Sequence, residues 1–552
     1  MPKKLFQKGL SLLLKRQTNI LSAAFVIMAT IILSQILGLI RQRLLVSIFG
    51  ASDILGIYLA SSKLPDFLFQ LIIAGALSSA FIPIFSDLLG KEKKEDANRL
   101  GSAFLTLNLV LFTFLAVFLF IFAEYFSGLI APGFSKEQIV LMASLMRIII
   151  FGEILFIIGS FLSAVLQSHN HFFIPGIAAA FYNLGIIIGI FFLFPFFGIF
   201  SAAYGVLLGA FIFVLTQLPL TKKVGFSFRP LFEIKNSGVL SVFKLMWPRT
   251  ISIAIFQLGS LITVTLVSFL PNPGRNYVIF DYAQTLYFAP VVLCGQAIAQ
   301  AAFPILAREK EKIEDFKVTI LTSMNQMLYL VLPISALLFV LKIPVVRLIF
   351  GASQFDWQAT VLTGKTLSFF SISIFAQSLN YLLSRGFYAL HDTKTPLIIG
   401  AVSTFLMILL GSISVFVYKF GIEAIAISYS ISSIFNIFVM FICLDRKTKG
   451  FNKLELTKSL SKIVIATIFT GFALYIPIKL LDQLVFDTTR TINLLFLTGI
   501  SSVIGLTLYI FLTWLFNVKE ATMYIRLFRK VGDWRQILSK SEETIDAARP
   551  NL

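Results

Sequence analysis

The chain has 552 residues, 57% of them hydrophobic and only 13% charged, with a mean hydropathy of +0.90. Apolar runs of about 20 residues recur along it, which excludes a soluble multidomain protein and defines an all-α polytopic membrane protein. The net charge of +19 would point to nucleic acid in a soluble chain. Here it belongs to basic loops facing anionic lipid, so no nucleic-acid partner is expected.

Residues 1–22 place Lys3, Lys4, Lys8, Lys15 and Arg16 around a short LSLLL run. The charges interrupt the apolar stretch and no convincing cleavage site follows, so residues 1–22 read as an uncleaved, amphipathic cytoplasmic segment. Length and polar breaks then predict about fourteen transmembrane spans. Six fall within residues 23–220: Ala23–Phe49, Ile54–Leu88, Ala103–Ala123, Leu141–Leu166, Phe173–Phe194 and Ile199–Leu220. The first two exceed one bilayer thickness, and Gly38 and Pro65 are the candidate bend points. Residues 221–241 form a basic linker with Lys222, Lys223 and Arg229. Six more spans occupy residues 242–444: Val242–Leu270, Tyr277–Leu306, Val318–Leu341, Ala359–Tyr388, Pro396–Tyr418 and Ile422–Leu444. Two further spans, Leu460–Ile478 and Ile492–Phe516, lie within residues 445–517. Residues 518–552 form a basic tail, read either as a surface helix or as a solvated segment. The lysine and arginine asymmetry of the loops puts both termini in the cytoplasm.

The two blocks of six are internal copies. AFIPIF around Pro83 matches AAFPIL around Pro304, and the LSAVLQSHNHFFIP that ends at Pro175 matches the LLSRGFYALHDTKTP that ends at Pro396. Both proline pairs are separated by 221 positions. An even number of spans per copy makes the repeat parallel, giving two six-helix lobes about an axis along the membrane normal, with a central cavity and two extra C-terminal helices.

The polar residues inside the spans carry the functional reading. They are Arg41, Arg43, Lys63, Asp66, Asn108, Arg147, Glu153 and Asn183 in the first block. In the second they are Arg249, Gln257, Asp281, Gln284, Gln296, Lys365, Asn380 and Arg385. Cations outnumber acids, which suits an anionic substrate such as a phosphate or diphosphate. In the stretch SQILGLIRQRLL, Ser34, Gly38 and Arg41 share one helical face, joined by Gln42. That face lines a cavity, or else the arginines snorkel to the interface. Lys63 either joins that site or bonds carbonyls freed at Pro65. Glu153 either relays a proton or, by preference, makes a helix-to-helix hydrogen bond. Gln257 and Asn380 read as interhelical contacts. His169, His171 and His391 sit in loops without metal-ligand company, and no phosphate-cradling glycine loop is present. Cys294 and Cys443 read as core residues. Neither an enzyme site, a metal site nor a cofactor is expected.

The segments SQILGLIRQRLLVSIFGAS, KLPDFLFQLIIAGALSSAFIPIFSD and FYALHDTKTP resemble the MurJ/MviN lipid II flippases of the multidrug/oligosaccharidyl-lipid/polysaccharide exporter superfamily. The resemblance covers nearly the whole chain. It implies fourteen spans and movement of an undecaprenyl-diphosphate-linked peptidoglycan precursor, lipid II, from the inner to the outer leaflet of the bacterial plasma membrane. It further implies a V-shaped cavity with alternating access, and a groove for the polyprenyl tail on the last two helices. Against the family's first-helix pattern SRxLGxxRD, Ser34, Leu37, Gly38 and Arg41 match, whereas Gln35 and Gln42 stand in place of charges. Lys63 to Pro65 match the KLP of span two. The arginine expected next is Phe69, the acid expected before Gly75 is Ala74, and the Asp-Arg-Leu of span eight is Gln284, Thr285 and Leu286. The implied substrate site is therefore Arg41, Lys63 and Arg249, with Ser34, Gln35, Gly38, Gln42 and Thr285 around them. Span eleven has no aspartate for sodium, which leaves membrane potential as the implied drive. The implied partners are lipid II, membrane lipids and, as a candidate, the cell-wall synthesis machinery, with the chain acting as a monomer. The alternatives are an exporter of another polyprenyl-linked glycan or of a drug, and a transport-inactive scaffold of envelope assembly.

Overall fold

The computed structural model describes residues 20–74, 77, 81–233, 237–484 and 491–524, with the side chains of residues 20–25, 247–249 and 481–484, among a few others, left outside that description. The N-terminal amphipathic segment and most of the C-terminal tail therefore lie outside the described residues. Every described element is helical: α1 (Ile20–Phe49), α2 (Asp53–Ser61), α3 (Lys63–Phe69), α4 (Ile82–Gly90), α5 (Lys94–Ile121), α6 (Ala123–Ile130), α7 (Lys136–Ser168), α8 (Phe173–Phe197) and α9 (Phe200–Lys223) in the first block. The second block holds α10 (Ser237–Ser268), α11 (Pro273–Pro290), α12 (Ala297–Arg308), α13 (Ile313–Val340), α14 (Lys342–Phe350), α15 (Trp357–Ser371), α16 (Ile374–Ala389), α17 (Lys394–Ser412) and α18 (Ile422–Lys447). The last pair is α19 (Lys453–Leu484) and α20 (Thr491–Leu515).

Among the described residues, 11 helices are long and apolar enough to cross a membrane, or up to 12 with α15 and α16 taken as one span. The predicted second and seventh spans fall on stretches that include undescribed residues or side chains. The predicted tenth span is not straight: it bends by 43° between α15 and α16. Of the two candidate bend points, only Pro65 marks a break. Its ring nitrogen cannot donate to the carbonyl of Ser61, and the helix is interrupted at Ser62, between α2 and α3. Gly38 lies within an uninterrupted α1.

The internal repeat extends well beyond the proline pairs. α5 and α13 are both 28 residues long, and each carries two acids in its first turn, Glu95 with Asp96 and Glu314 with Asp315. Acids there complement the positive helix N-terminus. A π-helical turn at Gln70–Ala74 has its counterpart at Val291–Gln296, 221 positions on. Left-handed backbone occurs at Asn170 and again at His391, and at Gly198 and again at Lys419, each pair 221 apart.

The chain divides into two compact units. One comprises Met1–Ala283, Ile349–Thr366 and Gly400–Ser432; the other comprises Gln284–Leu348, Leu367–Ile399 and Ser433–Leu552. In the first, α8 and α9 pack through small residues. A methyl on Gly189 would lie 2.4 Å from Gly205 Cα, and one on Gly185 would lie 2.5 Å from Gly209 Cα. These are GxxxG faces on two helices, letting backbones approach where lipid supplies no hydrophobic drive. In the second unit, α19 and α20 pack on each other and on α13, where Tyr509 Oη donates to the Tyr329 carbonyl at 2.7 Å. Phe469, Phe472, Leu495 and Val503 of that pair remain exposed, as a lipid-facing surface requires.

Candidate functional site

The break at Pro65 places Lys63 and Asp66, both half-buried, in the first turn of α3 in the first unit. Lys63 Nζ bonds Asp281 Oδ1 of α11 at 3.1 Å, with side-chain exposures of 23% and 14%, and lies 5.8 Å from the centre of the Tyr277 ring. A lysine in this setting needs such partners, because an unpaired buried charge is costly. The cation is held by its neighbours and does not merely bond carbonyls freed at the helix break.

Arg41 lies in the last third of α1, between the exposed Ile40 and the buried Leu45 and Val46, and is half-buried. Its charge acts on Tyr58 of α2, Asp66 of α3, Tyr182 of α8 and Tyr282 of α11. No described carboxylate forms an ion pair with it. Arg43 is exposed and donates to the Gly351 carbonyl at 3.2 Å.

The other expected site residues divide. Ser34 Oγ donates to the Ala179 carbonyl at 3.3 Å, Asn183 Nδ2 donates to the Ser34 carbonyl at 3.2 Å, and Gly38 faces the same asparagine. That part of the face is a seam with α8. Gln35 is exposed, and the carbonyl of Gln42 accepts a bond from Tyr282 Oη at 3.0 Å. Thr285 is half-buried and belongs to the second unit. The side chain of Arg249 lies outside the described residues. Arg147 donates to the Phe120 carbonyl at 3.1 Å, capping the end of α5. Arg385 stacks over Phe303, with its guanidinium 5.9 Å from the ring centre.

Two acids complete the cluster. The carboxyl groups of Asp66 and of Glu153 on α7 meet within hydrogen-bonding range. Glu153 is 5% exposed, and its Oε2 has no donor among the described residues. Asp281 was legible as a partner, being the sole acid among the second block's intramembrane polar residues. The Asp66–Glu153 contact joins helices 87 positions apart, and no local pattern announces it. Among the described residues, no group of three or more metal-ligating side chains converges.

On one side of this cluster the first block presses glycines directly onto second-block backbone. A methyl on Gly56 would lie 1.9 Å from the Gly274 carbonyl oxygen, one on Gly133 would lie 2.1 Å from that of Ser268, and one on Gly50 would lie 2.6 Å from that of Gln354. The backbone N–H of Arg275 crosses the seam to Asp53 Oδ1 at 2.8 Å, while its guanidinium is held within the second block by Asp356 at 2.8 Å.

A helical membrane chain built from two copied blocks, with cations held within its spans and a tightly closed seam between blocks, has the construction of a secondary transporter. A profile of the family described as lipid II flippase MurJ matches residues 45–496. The chain belongs to this family. A probable lipid II flippase of Thermotoga maritima is 32% identical over 441 residues, 79% of this chain and 87% of that protein. One from Buchnera aphidicola of Schizaphis graminum is 29% identical over 503 residues, 88% of this chain and 96% of that one. A solved structure described as lipid II flippase MurJ, inward closed conformation, superposes with a TM-score of 0.74 at 22% identity, covering 89% of this chain and 98% of that one.

Proposed function

We propose that this chain is a lipid II flippase of the bacterial inner membrane, carrying the undecaprenyl-diphosphate-linked precursor from the inner to the outer leaflet, and that Arg41 and Lys63 receive the diphosphate. The observation that carries the site assignment is the pairing of Lys63 with a carboxylate of the other block. A diphosphate offers more negative charge than one carboxylate, and Arg41 offers a fork-shaped donor set. The arriving anion competes with Asp281 for Lys63. Releasing Asp281 removes one of the ties between blocks and loosens the glycine seam. With both termini cytoplasmic, that seam lies at the outer end, so the described state is closed outward and receives substrate from within. Opening the seam then completes alternating access. The polyprenyl tail would run along the exposed apolar side chains of α19 and α20, and the chain would work as a monomer without catalytic chemistry.

The test is growth rescue of flippase-depleted bacteria combined with leaflet accessibility of the precursor. Arg41→Ala should abolish both at normal membrane levels of protein. Full rescue by Arg41→Ala would remove Arg41 from the site.

A further inference from the structure

We propose that Asp66 and Glu153 form a proton-binding carboxyl pair that takes up a proton when Lys63 is transferred to an anionic ligand. The inference rests on the transport reading above and adds an ion to it.

Two ionised carboxylates have only acceptors to offer each other, so their contact is a hydrogen bond only when a proton lies between them. Glu153 is 5% exposed and its Oε2 accepts from no donor among the described residues, so a second ionised carboxylate beside it would be left uncompensated. Protonated, Glu153 donates to Asp66 and the desolvated charge disappears. The groups acting on the pair are Lys63 and Ser62 beside Asp66, and Arg41 across from α1. Tyr58 of α2 and Tyr182 of α8 stand next to them, and Lys63 in turn carries Asp281 and Tyr277 of α11. No acid or base of α5, α6 or α9 is among the described groups acting on the pair; α10 also packs on α3, and its Arg249 side chain lies outside the described residues.

The coupling follows from charge. Arg41 and Lys63 are balanced by Asp281 and by the pair holding one proton. An anion that draws Lys63 away deprives Asp66 of its nearest cation and adds negative charge close by. Both effects favour the neutral acid. A proton then passes from water to an Asp66 carboxylate oxygen, and it leaves again when the anion departs and Lys63 returns. Anion affinity therefore falls as pH rises.

Calorimetric titration of the purified full chain with undecaprenyl diphosphate, in buffers of different ionisation enthalpy, reads the uptake directly. The expected value is roughly one proton per ligand bound, falling to near zero in Asp66→Asn and Glu153→Gln while binding persists. Asp281→Asn should keep the uptake. Binding without uptake in the wild type, or uptake abolished by Asp281→Asn and untouched by the other two, overturns the pair. No binding at any pH would instead sink the transport reading. Should the variants not fold, the infrared carbonyl band of a protonated carboxylic acid in the wild type must grow on adding ligand; an unchanged band counts against the proposal.

Discussion

Gly56→Ala tests the closed seam most sharply. The added methyl would stand 1.9 Å from the Gly274 carbonyl oxygen, whereas ordinary contact begins at 3.4 Å. The first-block and second-block backbones must therefore part by about 1.5 Å there, and neither side offers a flexible side chain to absorb it. Overpacking of this kind costs roughly 1–3 kcal/mol. That cost falls on the state in which the two backbones touch, and a state separating them escapes it. The ratio of seam-open to seam-closed molecules should rise roughly 5- to 150-fold. The assay is labelling of Ala60→Cys, which is fully buried beside the seam, by a membrane-impermeant maleimide from outside, in a Cys294→Ser, Cys443→Ser background. Gly56→Ala should speed labelling within that range. A variant that melts at lower temperature yet labels no faster would show that the strain is shared by all states and would refute the argument.

Other consequences are as direct. Gly189→Val drives a branched side chain into Gly205 Cα across the α8–α9 seam and should lower stability by about 2 kcal/mol or more in a thermal melt. Gly471→Ala, in α19 with nothing within 4 Å of the new methyl, should instead be neutral or raise stability by about 0.5 kcal/mol. Asp392 is pushed up by desolvation, but Lys447 at 2.5 Å and the N–H and hydroxyl of Thr395 outweigh it and hold the carboxyl down to about 2. A depressed folded-state value means stabilisation that is complete above the unfolded value of about 4 and lost as pH falls toward 2. Asp392→Asn should therefore melt lower than the wild type at neutral pH and show less of the acid loss between those limits. Equal melting of the two proteins at neutral pH would dismiss the Asp392 network.

Hydropathy alone marked most of the spans, because crossing hydrocarbon forces a helix to declare its length in sequence. The proline pairs marked the repeat for a related reason: a residue without an N–H restricts the backbone wherever it stands. The role of FYALHDTKTP was less legible. In the structure its His391 takes left-handed backbone and its Asp392 ties the start of α17 to the end of α18, so the motif shapes a connection. The charged site was half-readable. Arg41 and Lys63 stood out as cations in apolar surroundings, but their neighbours come from four other helices, with Lys63 and Asp281 separated by 218 positions. Partnering at that distance has no period to betray it. Ser34 and Gly38 were ambiguous for a physical reason: small residues on one helix face serve a close helix contact, here with Asn183, as readily as a cavity. The pentapeptide IFGAS, present at residues 48–52 and 349–353, was an available signal, since Gly50 of the first copy packs on Gln354 beside the second.

The paired π-helical turns bear on how this chain arose. QLIIA at residues 70–74 and VVLCG at 291–295 share no residue at any matched position, yet both widen the helix at the same point of their block. A π turn holds one residue more than the α-helix around it, so every side chain beyond it is rotated by about 100°. Two separate insertions at one matched site are a less economical history than one insertion in an ancestral half-length chain, copied when that half was doubled. The irregularity outlived every side chain within it because all that follows, Pro83 and Pro304 included, had already settled in the rotated frame. Deleting a single residue from either turn would swing its downstream half-helix by the same angle, which makes this small excess a feature that neither copy can discard alone.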